Sequence, residues 1–293
     1  MGSGMAHNLL AAGVDLVVYN RTPSRAAPLI AAGARAASSI GEIAAQASSI
    51  LLCLSDTPDV EAVLLGPGGV AESCLEDTLV VDLSTISPEA TRRIGETLAA
   101  RQIRFCDAPV SGGSEGAAKG TLSIMVGASD RDFERALPYL NLIGRTITHM
   151  GPVGSGQTCK LVNQVLGAVT MLGVAEALLL ASAGGIDPAR AIVATAGGAG
   201  GSWLLSNRGP QMVERDWTPG FTIDLQQKDL RLVLQAADAC GVPLLGTSVV
   251  FNLYRSLQNS GLGAEGNHAL VMAVERLSGL TVTDAHPGTD GAS

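Results

Sequence analysis

Lys160, Asn163 and Gln164 are the residues of this sequence best placed to do chemistry. Three and four apart, they fall on one face of a helix. Gly154-Ser155-Gly156-Gln157-Thr158-Cys159 leads into them, and the chain beyond is almost wholly apolar to about Ala183. Leu166, Val169, Met171, Leu172, Val174, Leu178 and Leu179 cover more than one stripe, so the pattern predicts a long helix buried on all sides. A lysine in the first turn of such a helix meets desolvation and the unfavourable end of the helix dipole together. Under those conditions an amine can release and recover a proton near neutral pH. Such a lysine can act as a general acid or base, and as the ammonium it can polarise a carbonyl oxygen. Asn163 could donate to the same oxygen or its neighbour. The competing reading is a lysine whose stem lies along apolar surface while its amine reaches water.

A second candidate is Ser111-Gly112-Gly113, which follows Asp107-Ala108-Pro109-Val110. Two glycines let backbone N–H groups come close to an anion, and Ser111 adds a hydroxyl donor; the alternative is an ordinary glycine turn. Lys228-Asp229 lies on a helix, where a solvated ion pair is an equally simple reading. Cys159 has no base suggested for it. His7, His149, His268 and His286 are scattered, and no metal motif is present in the sequence.

The elements that must position these residues alternate in the first half. Strands are expected at Asp15 to Tyr19, Ser49 to Leu54, Thr78 to Leu83, Ile103 to Asp107, Leu122 to Val126 and Thr146 to Met150. Helices are expected to open at Thr22-Pro23, Thr57-Pro58, Ser87-Pro88 and Asp130, with a turn at Gly66-Pro67-Gly68-Gly69. Short apolar strands alternating with helices mean a mostly parallel sheet covered on both faces, an α/β doubly wound domain over residues 1–150. Residues 151–280 read as helices only: the long one, then Pro188 to Thr195, Asn207 to Glu214, Ile223 to Cys240, Leu245 to Ser260 and Asn267 to Leu277. Residues 281–293 carry turn formers without an apolar face and read as a disordered tail.

Dinucleotide folds begin with a strand and G-x-G-x-x-G running into a helix. Here the first strand and first two glycines are missing, and Gly2 takes the place of the third glycine. The expectation is a natural start roughly a dozen residues upstream, enough for one strand and a glycine turn. The alternative is that Met1-Gly2-Ser3-Gly4 has no bearing on the motif. The end of the Asp15–Tyr19 strand is where an acidic residue would read the ribose 2′-hydroxyl; Asn20 and Arg21 stand there instead. With no carboxylate to repel it, a 2′-phosphate is accepted and Arg21 can grip it, which favours NADP over NAD. A solvated arginine in a turn is the plainer alternative.

With 19 basic and 27 acidic residues and a net charge of -8, the chain lacks the basic footprint of a nucleic-acid binder. Five cysteines (Cys53, Cys74, Cys106, Cys159, Cys240) without paired spacing suit reduced thiols in a cytoplasmic protein. No charged-then-apolar leader is evident. Asn163, Gln164 and Glu176 interrupt the long apolar run, favouring a soluble core helix over a membrane span.

Four motifs stand in one order: Gly2-Ser3-Gly4-Met5-Ala6-His7-Asn8-Leu9, Asp107-Ala108-Pro109-Val110-Ser111-Gly112-Gly113, Gly154-x-Gly156-x-x-x-Lys160-x-x-Asn163 and Lys228-Asp229-Leu230. Together they resemble the β-hydroxyacid dehydrogenases over about residues 1 to 278. The resemblance implies a Rossmann domain, an all-helical C-terminal domain and a long helix joining them. It implies Lys160 as the catalytic lysine, Asn163 as a substrate-bonding asparagine, and Ser111, Gly112 and Gly113 as the loop holding the substrate carboxylate. It also implies Thr85 and Lys228 at the nicotinamide, and Leu54 with Ser55 on a strand end lining the cofactor. Gly2, Met5, Asn20, Arg21 and Thr22 complete the cofactor set. Gln164, placed at the substrate, departs from the Asn-Asn form of the motif and looks like the semialdehyde reductase branch. The missing front strand departs from every member and bears directly on cofactor binding. The reaction implied is hydride transfer between NADP(H) and a small 3-hydroxy acid or semialdehyde, of the 2-hydroxy-3-oxopropionate, 3-hydroxyisobutyrate or glyoxylate kind. Imine reduction on the same scaffold would be expected to replace the lysine, so Lys160 argues against it. Phosphogluconate decarboxylation would call for a longer chain and an arginine cluster. A non-catalytic dinucleotide-binding module stays open. So apolar a helical half is expected to hide its surface in a homodimer or homotetramer.

Overall fold

The computed structural model describes residues 1–282. The chain divides into two compact units, Met1–Val162 and the remainder from Asn163. Unit one thus includes the first two turns of the long helix, beyond the boundary expected at Gly151.

Its elements run α1 (Gly2–Ala11), β1 (Val17–Val18), α2 (Ala27–Ala31), β2 (Arg35–Ala36), α3 (Ile40–Ala44), β3 (Ser49–Leu52), α4 (Thr57–Leu65), α5 (Val70–Ser73), β4 (Leu79–Asp82) and α6 (Pro88–Ala99). Then follow β5 (Arg104–Asp107), β6 (Val110–Ser111), α7 (Gly113–Lys119), β7 (Leu122–Gly127), α8 (Asp130–Ile143), β8 (Gly144–Gly151) and the start of α9 (Ser155–Ala183). β3, β4 and β5 are parallel; β7 joins β5 and β6 antiparallel and takes β8 parallel on its flank. β1 and β2 form a separate parallel ladder, outside the six-stranded sheet.

Side chains alternate across a strand, so a strand buried on both faces must be apolar throughout. β4 shows this up to its last residue, the buried Asp82: Leu79 and Val81 face a core closed by Met5 and Leu9 of α1 and by Ala136, Leu140 and Ile143 of α8. Val80 faces the opposite core, with Val60 and Leu64 of α4 and Ile94 and Leu98 of α6.

Several helix starts differ from the sequence reading. Asp56, not Thr57, caps α4 by accepting the Thr57 N–H. After Thr22 comes a 3₁₀ turn, Pro23–Arg25, with no side-chain cap; the Thr22 N–H instead donates to Asn20 Oδ1. Glycine-rich composition hid α7, and it also hid the first turn of α11 (Trp203–Glu214), where Ser202 accepts the Leu205 N–H.

From Asn163, unit two holds the rest of α9, α10 (Pro188–Ala196), α11, α12 (Ile223–Cys240), α13 (Leu245–Asn259) and α14 (Leu270–Ser278). α9 is not buried on all sides: Leu166, Val169 and Leu180 are exposed along it. Gly246 lies against Val169, and its neighbours Leu245 and Val249 on α13 are also exposed. Periodicity reports how apolar a helix is, not what covers it. Of the stretch read as a disordered tail, residues 283–293 lie outside the described residues. Val282, by contrast, is fully buried, its N–H donating to Glu275 and its carbonyl accepting from Ser182.

Candidate active site

Strand β5 delivers Asp107 to the head of α9. The carboxylate is fully buried; its Oδ1 accepts the Gly154 N–H at 2.7 Å and its Oδ2 the Gln157 N–H at 2.7 Å. Two N–H groups at the helix start, which have no partner within the helix, are thereby satisfied by a residue about fifty positions earlier. The glycines make this possible. Gly154 sits at φ +92°, and a Cβ on Gly156 would strike the backbone oxygens of Met125 and Asp107. Burial pushes the Asp107 carboxyl up to about 6 against the pull of the two N–H bonds, and Asp82, opposite it on β4, adds to the rise.

Lys160 lies on the second turn of the helix so fixed, not the first, and only 6% of it is exposed. This excludes the reading of a lysine reaching into water. Three residues earlier, Gln157 is fully buried; its Oε1 accepts the Ile86 N–H at 3.1 Å and its Nε2 donates to the Ser84 carbonyl at 2.8 Å. Thr85 stands between those two bonds. The Ser84 hydroxyl accepts the Leu54 N–H at 2.8 Å, and Ser84 N–H donates to Asp82 Oδ1 at 2.9 Å. Leu54 and Thr85, both expected along the cofactor, are therefore on loops at adjacent strand ends joined through Ser84; Ser55 beside Leu54 is exposed.

Ser111 is half-buried on β6, opposite Ser123. Gly112 (φ +134°) and Gly113 (φ +65°) then turn the chain into α7. Both angles lie where side-chain-bearing residues are strained. What reads as a loop is a strand end, a glycine pair and the start of the short helix α7.

In unit two, Asn163 Nδ2 donates to Gln164 Oε1 at 2.9 Å, and Gln164 Nε2 donates to Asp229 Oδ2 at 2.7 Å. Lys228 Nζ pairs with Asp229 Oδ1 at 2.7 Å. The structure thus joins Asn163, Gln164 and Lys228 through a buried carboxylate that the sequence reading left unassigned, and it rules out a solvated Lys228–Asp229 pair.

At the cofactor end, α1 starts at Gly2 beside Cys53, one residue beyond β3, with no side-chain cap on its first amides. Those donors, together with the helix dipole, fit a pyrophosphate. A Cβ on Gly4 would meet the backbone of Ala117 and Ala118 at 3.0 Å, so this glycine serves the α1–α7 packing. Met5, expected at the cofactor, buries its side chain in the sheet core, and its N–H donates to the Met1 carbonyl at 3.2 Å. Asn20 and Thr22 are tied to each other in the turn after β1, and Arg21 is 91% exposed, 4.0 Å from Asp59. Asp59, on α4, stands within ion-pair distance and competes with a phosphate for Arg21.

Asp107, Gln157 and Ser84 in unit one and Asp229 in unit two, which hold the expected site residues by hydrogen bonds, were not singled out by the sequence reading. Asp107 and Gln157 lie inside the motifs quoted, but their partners are too far along the chain for spacing to reveal.

Known proteins resemble this chain along most of its length. Residues 1–151 match the family model of the NAD binding domain of 6-phosphogluconate dehydrogenase. Residues 154–274 match that described as NAD-binding of NADP-dependent 3-hydroxyisobutyrate dehydrogenase. An uncharacterised oxidoreductase of Synechocystis is 44% identical over 275 residues, covering 93% of this chain and 94% of that protein. The 2-hydroxy-3-oxopropionate reductase of Escherichia coli is 40% identical over 278 residues, 95% of each chain. The crystal structure of 3-hydroxyisobutyrate dehydrogenase from Salmonella typhimurium superposes with a TM-score of 0.84 at 33% identity, covering 92% of this chain and 95% of that one.

Proposed function

The chain belongs to the β-hydroxyacid dehydrogenase family of NAD(P)-dependent oxidoreductases, and we propose that it interconverts a small 3-hydroxy acid and its semialdehyde using NADP(H). When bound, the nicotinamide supplies or accepts the hydride. Lys160 donates a proton to the carbonyl oxygen as hydride reaches its carbon, and recovers it in oxidation. Asn163, one helical turn further on, orients that oxygen. Ser111 and the amides of Gly112 and Gly113 bind the substrate carboxylate, which excludes neutral aldehydes. The observation that carries this reading is the burial of Lys160 on a helix head locked by Asp107. The similarity to the 2-hydroxy-3-oxopropionate reductase of Escherichia coli makes 2-hydroxy-3-oxopropionate a leading substrate. Asn20 and the exposed Arg21 support NADP over NAD.

In the same reading α9, though long and apolar enough to cross a membrane by length and composition, is a core helix of a soluble, cytoplasmic enzyme. The buried, hydrogen-bonded Gln157 and Gln164 on it and the five free cysteines support this. The exposed apolar residues of α9 and α13 support a homodimer or homotetramer.

The test is oxidation of NADPH and NADH by purified protein with tartronate, succinic and methylmalonate semialdehydes and glyoxylate. Turnover with at least one acid, faster with NADPH, is expected. Lys160→Ala should lower kcat by two or more orders of magnitude while NADPH binding stays near normal. A variant that keeps its turnover overturns the role given to Lys160.

A further inference from the structure

We propose that Gln157 is a positioning residue that sets the distance between the loop Ser84–Ile86, on the cofactor side, and the helix turn carrying Lys160. The inference rests on the hydride-transfer reading above. One primary amide takes the carbonyl before Thr85 and the N–H after it, as a neighbouring strand would. Only a group with donor and acceptor at one end can do both. Its own backbone N–H is held by Asp107. The ends of β3, β4 and β5 are therefore linked in series, from Leu54 through Ser84 and Gln157 to Asp107. Gln157 precedes Lys160 by three residues, so the two share a helix face. A fully buried amide is costly unless paired, and both of its polar atoms are paired here, so the side chain has one stable orientation. Transfer between atoms about 3–3.5 Å apart is sensitive to such fixing: a shift of about 1 Å can cost on the order of 100-fold in rate.

Gln157→Met keeps the shape and removes both bonds. Gln157→Glu keeps the acceptor and loses the donor while ionised, but its protonated acid restores both. For Gln157→Met, kcat should fall about 10–100-fold with semialdehyde KM within about threefold, and the isotope effect from 4-deuterated NADPH should rise as hydride transfer becomes limiting. The activity of Gln157→Glu relative to wild type should recover severalfold as pH is lowered from 8 to 5.5, measured below the thermal midpoint of each protein. Wild-type kcat and isotope effect in both folded variants, or a Gln157→Glu deficit independent of pH, overturns the proposal. If Gln157→Met does not fold, Gln157→Glu at the two pH values decides alone.

A second readout needs no substrate. NADPH should slow amide hydrogen exchange in residues 154–161 of wild type and leave it unchanged in Gln157→Glu at pH 8. Equal slowing in both overturns the coupling. A wild-type protein that reduces nothing in the panel yet shows the NADPH-dependent slowing defeats the functional reading and leaves the coupling standing.

Discussion

Lys228 shows how the identity of one residue is settled by its neighbour. Its amine is paired to Asp229, which is almost fully buried and also accepts from Gln164. Removing one partner of a buried pair leaves a charge without compensation, which costs about 3–5 kcal/mol. The Gln164 bond to Asp229 offsets part of this, so Lys228→Met should lower stability by about 2–3 kcal/mol, read from the denaturant midpoint at constant slope. Lys228→Met combined with Asp229→Asn should recover most of the loss, because the amide oxygen still accepts from Gln164 and no buried charge is left unpaired. A single variant as stable as wild type would mean that the pair contributes nothing to holding α12.

At the scale of the element, the head of α9 depends on Asp107. Burial raises its carboxyl to about 6, above the ordinary carboxylate value, while the Gly154 and Gln157 N–H groups pull the other way. Asp82 on the adjacent strand and Asp132, which acts with Asp107 on the Cys106 thiol, are the other acids near it. A carboxyl with a raised folded pKa binds its proton more tightly in the folded state. Its contribution is fully present below the unfolded value near 4 and is lost as pH rises through about 6. Asp107→Asn removes this dependence and sets an amide N–H against a helix N–H. Its thermal midpoint should lie below that of wild type at every pH, with the gap widening from pH 7 to pH 4. A gap that narrows on acidification would show that the N–H bonds outweigh burial.

At the scale of the molecule, the exposed apolar side chains of α9 and α13 matter most. Leu166 is 64% exposed and Leu245 82%, and Gly246 and Val169 bring their helices together. Adjoining apolar surface of this kind supports the homodimer or homotetramer proposed above. Light scattering should give at least twice the 29.8 kDa chain mass, and Leu166→Glu with Leu245→Glu should return the protein to the mass of one chain. A monomeric wild type would remove the dimer and tetramer from the proposed function.

Much of this was legible in the residues themselves. Short continuous apolar runs marked most of the strands, and cap and turn residues around longer apolar stretches most of the helices, because local burial writes itself into local composition. α12 was read to both of its end residues and α8 opens at Asp130 as expected; in the structure Ser129 and Thr222 cap them. The glycine–lysine run announced the head of α9 because close packing and a buried amine need those residue types. What tertiary structure alone decided is what meets what. Gln157 finds Ser84 and Ile86 over separations of 73 and 71 residues, and Asp107 finds the head of α9 over 47 and 50. No spacing rule reaches so far, because loop closure constrains the ends of a chain segment only weakly as it lengthens. Which side of α9 stays uncovered is settled in the same way, by the elements that pack against it and not by its own composition.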